Sequence, residues 1–355
     1  MLTRVCLILL AAVPLVGSDW NPRLAAQYLD ARQKLWVEWP RALESGVPCV
    51  SCHTNVAYLL ARPALRSALG ESGHTPYETA LLDGIRARLD RNSGTALFPS
   101  AKGPLADQIF GANIVLAAVL LAMDDAQSGH GMTPATERAL ERMWANQVRT
   151  GPAAGAWQWT ALDLDPWETA DSAYWGAALA AVATGSAPGG YQSRPEIRDN
   201  VALLKSYLAG AQSSQPLHNR LALVWAAEKL PGVLAAPARA AILEEARGKQ
   251  ETDGGWSLET LGAFKPHAKA PPAQDSNAYA TAWTAFVMER AGVKGTDRNL
   301  ARALGWLKSH QDAESGYWDA SSMNKRYEAG SMQIQFMRDA ATGYAAAALA
   351  EAAAR

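Results

Sequence analysis

The chain has 355 residues, with 33 Lys plus Arg against 34 Asp plus Glu, and a formal net charge of −1. This balance excludes long-range attraction to nucleic acid or to anionic lipid. Hydrophobic residues make up 49% of the chain, which provides for a sizeable core and excludes wholesale disorder. Three cysteines are too few for a disulfide-built fold, and 13 tryptophans against five phenylalanines require a structural explanation.

Residues 1–18 predict a secretory signal peptide. Arg4 precedes an apolar run from Val5 to Val16, and the small residues Gly17 and Ser18 follow it. The run is shorter than the about 20 residues that a helix needs to cross a bilayer. We therefore expect an exported, periplasmic protein whose mature part is residues 19–355. Association with the membrane is expected only if the segment is retained.

Residues 49–53 read Cys-Val-Ser-Cys-His, the attachment signature of a c-type haem. Two thiols at this spacing can form thioethers with the two vinyl groups, and the adjacent His53 can then bind the iron. Removal of the signal peptide leaves Cys49 and Cys52 as the only cysteines of the mature chain. The motif therefore predicts covalent haem c, held by Cys49, Cys52 and His53.

Two other interpretations of this motif remain open. Cys49 and Cys52 could form a disulfide or a redox pair of the thioredoxin type, although the βαβ context of that motif is missing. They could also bind zinc together with His53 and one further ligand.

Apolar residues recur at intervals of three and four along the chain, which predicts helices, and Gly and Pro separate them every 15 to 25 residues. Each predicted pair has a charged first helix and an apolar, Ala-rich second helix. Six such hairpins are predicted, at 21–71, 76–126, 135–186, 195–230, 236–292 and 296–354.

Three of the predicted turns contain a Gln, a Gly and a Trp in the same order. The Gly suits the end of the first helix, and the Trp supplies a large apolar plate whose N–H can find a partner. We expect these tryptophans to be packing residues. The three sets are Gln147, Gly155 and Trp157; Gln250, Gly254 and Trp256; and Gln311, Gly316 and Trp318.

These repeated turns on helical hairpins resemble the terpenoid cyclase and protein prenyltransferase superfamily, in particular one barrel of squalene-hopene cyclase. The resemblance covers most of residues 21–354. It implies an all-α fold, a single α/α toroid of about six hairpins with the apolar helices inside. It also implies a cavity for a hydrophobic, isoprenoid-like ligand. The prenyltransferase zinc ligands have no counterpart, because both mature cysteines lie in one motif.

The cyclases resembled here use a central Asp of an Asp-x-Asp-Asp-Thr-Ala motif as a general acid. The best match is Glu168-Thr-Ala-Asp171-Ser-Ala, in which Ala170 stands at the central position. The candidate acids are therefore Glu168, Asp171 and Asp275, with Asp163 and Asp165 nearby. Capping of a helix N-terminus is the competing interpretation of Asp171 and Asp275.

The motif at 49–53 precedes an inner helix, so the haem is expected at the rim of the toroid. Hairpin 6 is the neighbour of hairpin 1 if the ring closes. Its loop makes Met323 and Met332 the first candidates for a second axial ligand, with His267 next.

The sequence thus predicts an exported monohaem cytochrome on a cyclase-like toroid. It transfers electrons to a redox partner protein or performs redox chemistry on a hydrophobic ligand. The alternative is a terpenoid cyclase with a non-standard acid.

Overall fold

A computed structural model describes residues 20–44, 46–90, 102–162, 165–264, 275–321, 327–328 and 330–354. The predicted signal peptide, Asp163, His267 and Met323 lie outside these ranges.

Thirteen α-helices dominate the described part of the chain. Six form an outer layer: α1 (Pro22–Glu38), α3 (Pro76–Asp90), α5 (Pro134–Ala145), α7 (Arg198–Ala211), α9 (Ala236–Gly248) and α12 (Arg298–Ser309). Six more form an inner layer: α2 (Asn55–Leu69), α4 (Pro104–Ser128), α6 (Ser172–Ser186), α8 (Leu217–Lys229), α11 (Ala278–Arg290) and α13 (Phe336–Ala354). The remaining elements are the one-turn helix α10 (Leu258–Leu261) and the antiparallel strands β1 (Leu43–Glu44) and β2 (Val47–Pro48).

The inner helices form a closed ring. Each contacts the next in the order α2, α4, α6, α8, α11 and α13, and α13 packs along α2 to complete the circle. Outer helices pack against this ring, as α1 does against α2 and α13, and α12 against α11 and α13. The protein is therefore an all-α toroid of six hairpins, as the sequence predicted.

Aromatic side chains fill part of the ring. Trp283 contacts Tyr344, with ring centroids 5.0 Å apart, and Tyr344 also contacts Phe286 and Tyr279. Trp225 packs edge-on against Trp283. All five side chains are fully buried, so at this level the interior is packed core.

The three Gln–Gly–Trp turns join neighbouring hairpins. Each Trp indole donates a hydrogen bond to a carbonyl of its own outer helix, as Trp256 does to Ala246 at 2.7 Å. Each Gln amide donates both to the carbonyl of its own turn Gly and to that of an Asn at the start of the next outer helix. Gln311 makes this bond to Asn21, so the same device closes the ring between hairpins 6 and 1.

The turn glycines are required by backbone conformation and by close approach. Gly316 has φ +77°, and a Cβ there would lie 2.4 Å from the backbone of Leu24 in α1. Gly155 has φ +102° and meets Leu203 of α7 in the same way. No other residue type fits these sites without strain, so the glycines set how closely successive hairpins pack.

One helix among the described residues, α4, is long and apolar enough to cross a membrane by length and composition. From the sequence alone, no stretch beyond the N-terminal run was expected to be long enough for this. In the fold α4 is an inner helix that packs on α6, and 67% of its most apolar window is buried. Its apolar character is therefore that of a core helix.

Candidate functional site

Residues 49–53 form the turn that leads from the small hairpin of β1 and β2 into α2. The Cys49 N–H donates to the Ala42 carbonyl, and the Trp36 indole of α1 donates to the Cys49 carbonyl at 2.8 Å. The Ser51 hydroxyl accepts from the backbone N–H groups of Thr54 and Asn55 and so begins the helix. This turn is fixed at both ends, at the rim position that the sequence predicted.

Cys49, Cys52 and His53 line one cavity of about 190 Å³. Most of the other lining residues are apolar and come from α4 and from the segment before α6. They include Ile109, Leu116 and Leu162, and Leu162 is 45% exposed. The motif therefore faces a small, mainly apolar space that borders the surface.

The Cys52 thiol is buried, and burial raises its pKa well above the ordinary value, with the nearby Glu168 charge adding to the effect. Redox-active cysteines of the thioredoxin type have a lowered thiol pKa instead. Cys52 is therefore not suited to be the attacking thiol of such a pair.

The imidazole of His53 is held between aromatic rings. Phe336, the first residue of α13, stacks on it with centroids 3.7 Å apart, and Trp36 meets its edge at 5.4 Å. Burial lowers the pKa of His53 to about 3, and the Arg32 charge acts in the same direction. The ring is therefore neutral at physiological pH, which is the form that binds metals.

The His53 ring is also hydrogen-bonded on one side. Its Nδ1 lies 2.8 Å from the Thr54 hydroxyl, which itself lies 2.8 Å from Oδ2 of Asp339 in α13. Asp339 forms a two-pronged ion pair with Arg32, with distances of 2.7 and 3.0 Å, and accepts from the Tyr28 hydroxyl. A polar network thus connects hairpins 1 and 6 directly behind the histidine.

Glu168 lines the same cavity as the cysteines. Burial raises the pKa of its carboxyl to about 7, and a hydrogen bond with Thr160 opposes the shift only in part. The structure therefore brings together two features that the sequence predicted separately, the Cys49–His53 motif and one candidate acid.

The other candidate acids do not join this site. Asp171 and Asp165 line a separate, more open cavity of about 730 Å³, and Asp275 is exposed on the surface. Asp171 stands at the N-cap of α6, but its side chain makes no capping hydrogen bond. The cap of α11 is Asn277, which accepts from the N–H groups of Tyr279 and Ala280. Asp171 therefore occupies the expected N-cap position without making the capping hydrogen bond, and Asp275 lies two residues before the cap.

Of the three predicted second axial ligands, only Met332 lies within the described residues. Its thioether sulfur accepts a hydrogen bond from Arg32 at 3.4 Å, and it is not among the residues that line the cavity. Met332 is placed here beside the Arg32–Asp339 pair, while Met323 and His267 lie outside the described ranges.

A zinc site is not assembled in the part of the chain that the structure describes. No cluster of three or more His, Cys, Asp or Glu side chains there has an arrangement suited to a metal ion. The motif itself offers two thiols and one imidazole nitrogen, and Glu168 lines the same cavity.

Sequence reasoning missed the residues behind His53, which are Thr54, Asp339, Arg32 and Tyr28. One signal was present, since the inner-helix segment Asp339-Ala-Ala-Thr-Gly-Tyr aligns with Asp171-Ser-Ala-Tyr and with Asp275-Ser-Asn-Ala-Tyr-Ala-Thr-Ala. Its pairing with Arg32 of α1 depends on closure of the ring, which local sequence does not specify.

No protein-family model matches the chain, and no curated protein matches it. Among solved structures, a glycosidase determined in complex with glucose is similar to the chain, with 12% sequence identity and a TM-score of 0.47. The similarity covers 93% of this chain and 97% of the glycosidase chain. The toroidal architecture follows from the helix contacts described above.

Proposed function

We propose that this protein is an exported monohaem c-type cytochrome built on a terpenoid-cyclase-like toroid. Cys49 and Cys52 attach haem c through two thioethers, and His53 is the axial ligand from the protein. The protein exchanges single electrons with a redox partner protein.

One observation carries this proposal: both thiols and the imidazole of the motif line a single apolar cavity at the surface. The donor set matches haem c, which takes two thiols and a neutral imidazole and needs no fourth protein ligand. The cavity of about 190 Å³ is smaller than a whole cofactor site, which typically measures about 300–1000 Å³.

When bound, haem c supplies a one-electron iron couple. The residues of this chain orient and insulate it. Phe336 and Trp36 hold the imidazole plane, and the surrounding apolar side chains keep water from the ligand. A less polar surrounding is one of the means by which proteins set the reduction potential.

The test is expression with the c-type maturation machinery, followed by acid–acetone extraction and a pyridine haemochrome assay. We expect haem to stay with the wild-type chain after extraction. Cys49→Ser and Cys52→Ser should each weaken or abolish covalent attachment. Cys6→Ser, which alters only the predicted signal segment, is the matched control and should leave the stain unchanged. Folded wild-type protein without haem would refute the proposal.

A second candidate is acid or redox chemistry on a hydrophobic, isoprenoid-like ligand. Glu168 favours it, because a carboxyl with a pKa of about 7 in an apolar cavity can donate a proton near neutral pH. CO binding by the ferrous protein would favour an open iron site and hence ligand chemistry. Conversion of squalene or a prenyl alcohol that depends on Glu168 and persists in His53→Ala would favour a cyclase instead.

A further inference from the structure

We infer that Asp339 is a positioning residue that acts through the Thr54 hydroxyl on His53. It holds the imidazole in the tautomer with the proton on Nδ1, leaving the Nε2 lone pair for the iron. The inference rests on the proposed function. It states which residues of this chain control the reduction potential of the haem at that site.

The first step is the charge of Asp339. Its two oxygens accept four hydrogen bonds: Tyr28 and the Arg32 Nε atom at Oδ1, and Thr54 and an Arg32 terminal nitrogen at Oδ2. All four distances lie between 2.7 and 3.0 Å. Burial raises the pKa of this carboxyl, but the buried Arg32 guanidinium donates to both of its oxygens and opposes that shift. Asp339 is therefore an anion paired with the Arg32 cation.

The second step is the direction of the Thr54 bond. A carboxylate only accepts, so the single hydroxyl proton of Thr54 goes to Asp339. The Thr54 oxygen can then only accept from His53, whose Nδ1 lies 2.8 Å away. Nδ1 of His53 therefore carries a proton, and Nε2 is the ring nitrogen left to bind the iron.

The third step is the rigidity of the arrangement. The side chains of Arg32 and Asp339 are 3% and 1% exposed, and Thr54 is 2% exposed. Phe336, three residues before Asp339 on the same helix, stacks on the imidazole. One helix, α13, therefore supplies both the ring contact and the carboxylate, so closure of the toroid and the orientation of His53 depend on the same contacts.

The fourth step is the effect on the iron. A histidine ligand that donates its second N–H toward a carboxylate becomes a stronger base, and such outer partners change metal affinity or activity about 10–100-fold. A stronger base stabilises the oxidised, more highly charged iron more than the reduced iron. The hydrogen-bond chain from Asp339 through Thr54 to His53 therefore lowers the reduction potential.

The test is Thr54→Val, which removes the hydroxyl with little change in shape and leaves the ion pair of Arg32 and Asp339 intact. We expect the equilibrium to move about tenfold toward the reduced protein, a rise of about 59 mV for a one-electron couple. The slowly exchanging Nδ1 proton, visible by NMR in the wild type, should also be lost. Thr54→Ser should restore both.

Tyr28→Phe is the matched control. It removes a donor to the same carboxylate but leaves the link from Thr54 to His53 intact, so the potential should not rise. An equal rise of the reduction potential in Tyr28→Phe would overturn the role inferred for the hydrogen-bond chain. An unchanged reduction potential in haem-loaded Thr54→Val would overturn it as well. If Thr54→Val does not fold, a wild-type haem protein without a protected Nδ1 proton overturns it instead. A wild-type protein without haem is a different result, which refutes the proposed function as well.

Discussion

A buried carboxylate, Asp339, and a partly buried one, Glu168, lie near the Cys49–His53 turn, and their partners differ. Asp339, from hairpin 6, meets a guanidinium and two hydroxyls. Glu168, from hairpin 3, is shielded by apolar groups and has one hydrogen bond with Thr160. Burial raises the free energy of a charge in both places, but only Asp339 has a buried cation to compensate. The comparison shows that the donors around a buried acid, and not burial alone, decide whether it stabilises a structure or is available to exchange protons.

Removal of the Asp339 charge is the strongest test of this difference between Asp339 and Glu168. Asp339→Asn leaves the Arg32 cation buried without its counterion, and breaking such a pair costs about 3–5 kcal/mol. We expect a clearly lower denaturant midpoint and melting temperature in the variant. Chemical denaturation followed by circular dichroism measures the change.

Asp171→Asn is the control for this variant, because Asp171 opens an aligned inner-helix segment but is exposed. A surface substitution of this kind changes stability by less than about 0.5 kcal/mol. Equal losses in the two variants would contradict the role given to the ion pair.

The pH dependence of stability tests Glu168. Its folded pKa of about 7 exceeds the ordinary value of 4.5, so between these values the folded protein binds more protons than the unfolded chain. Stability therefore falls as pH rises through this window, by up to about 3 kcal/mol. Denaturation curves at a series of pH values should show this decline in the wild type and a smaller one in Glu168→Gln.

The wild type and Glu168→Gln share every other titrating group, so the difference between their two pH profiles isolates this carboxyl. Parallel profiles would mean that Glu168 titrates in its ordinary range. That outcome would also remove the support for acid chemistry at the cavity.

The sequence was sufficient to predict the architecture, because the Gln–Gly–Trp turns repeat and each turn requires these residue types for a physical reason. Gly316, for example, needs a positive φ, which is a requirement of its own turn. The site was only partly predictable. The Cys49–His53 motif is contiguous, but Thr54 and Asp339 are 285 residues apart and meet only because the ring closes. The sequence offered Asp171 and Asp275 as candidate acids or helix caps, yet the buried acid of that aligned position is Asp339.

The smallest expected effect concerns the start of α11, where Asn277 and not Asp275 caps the helix. The Asn277 side chain accepts from two backbone N–H groups, so Asn277→Ala should cost about 1 kcal/mol. Asp275→Ala removes a carboxylate from an exposed position two residues earlier and should stay within about 0.5 kcal/mol of the wild type. Both values come from the same denaturation experiment. A larger loss in Asp275→Ala would return the capping role to the residue that the sequence favoured. It would also weaken the contrast drawn here, because the aligned aspartates would then share one structural task at the helix start.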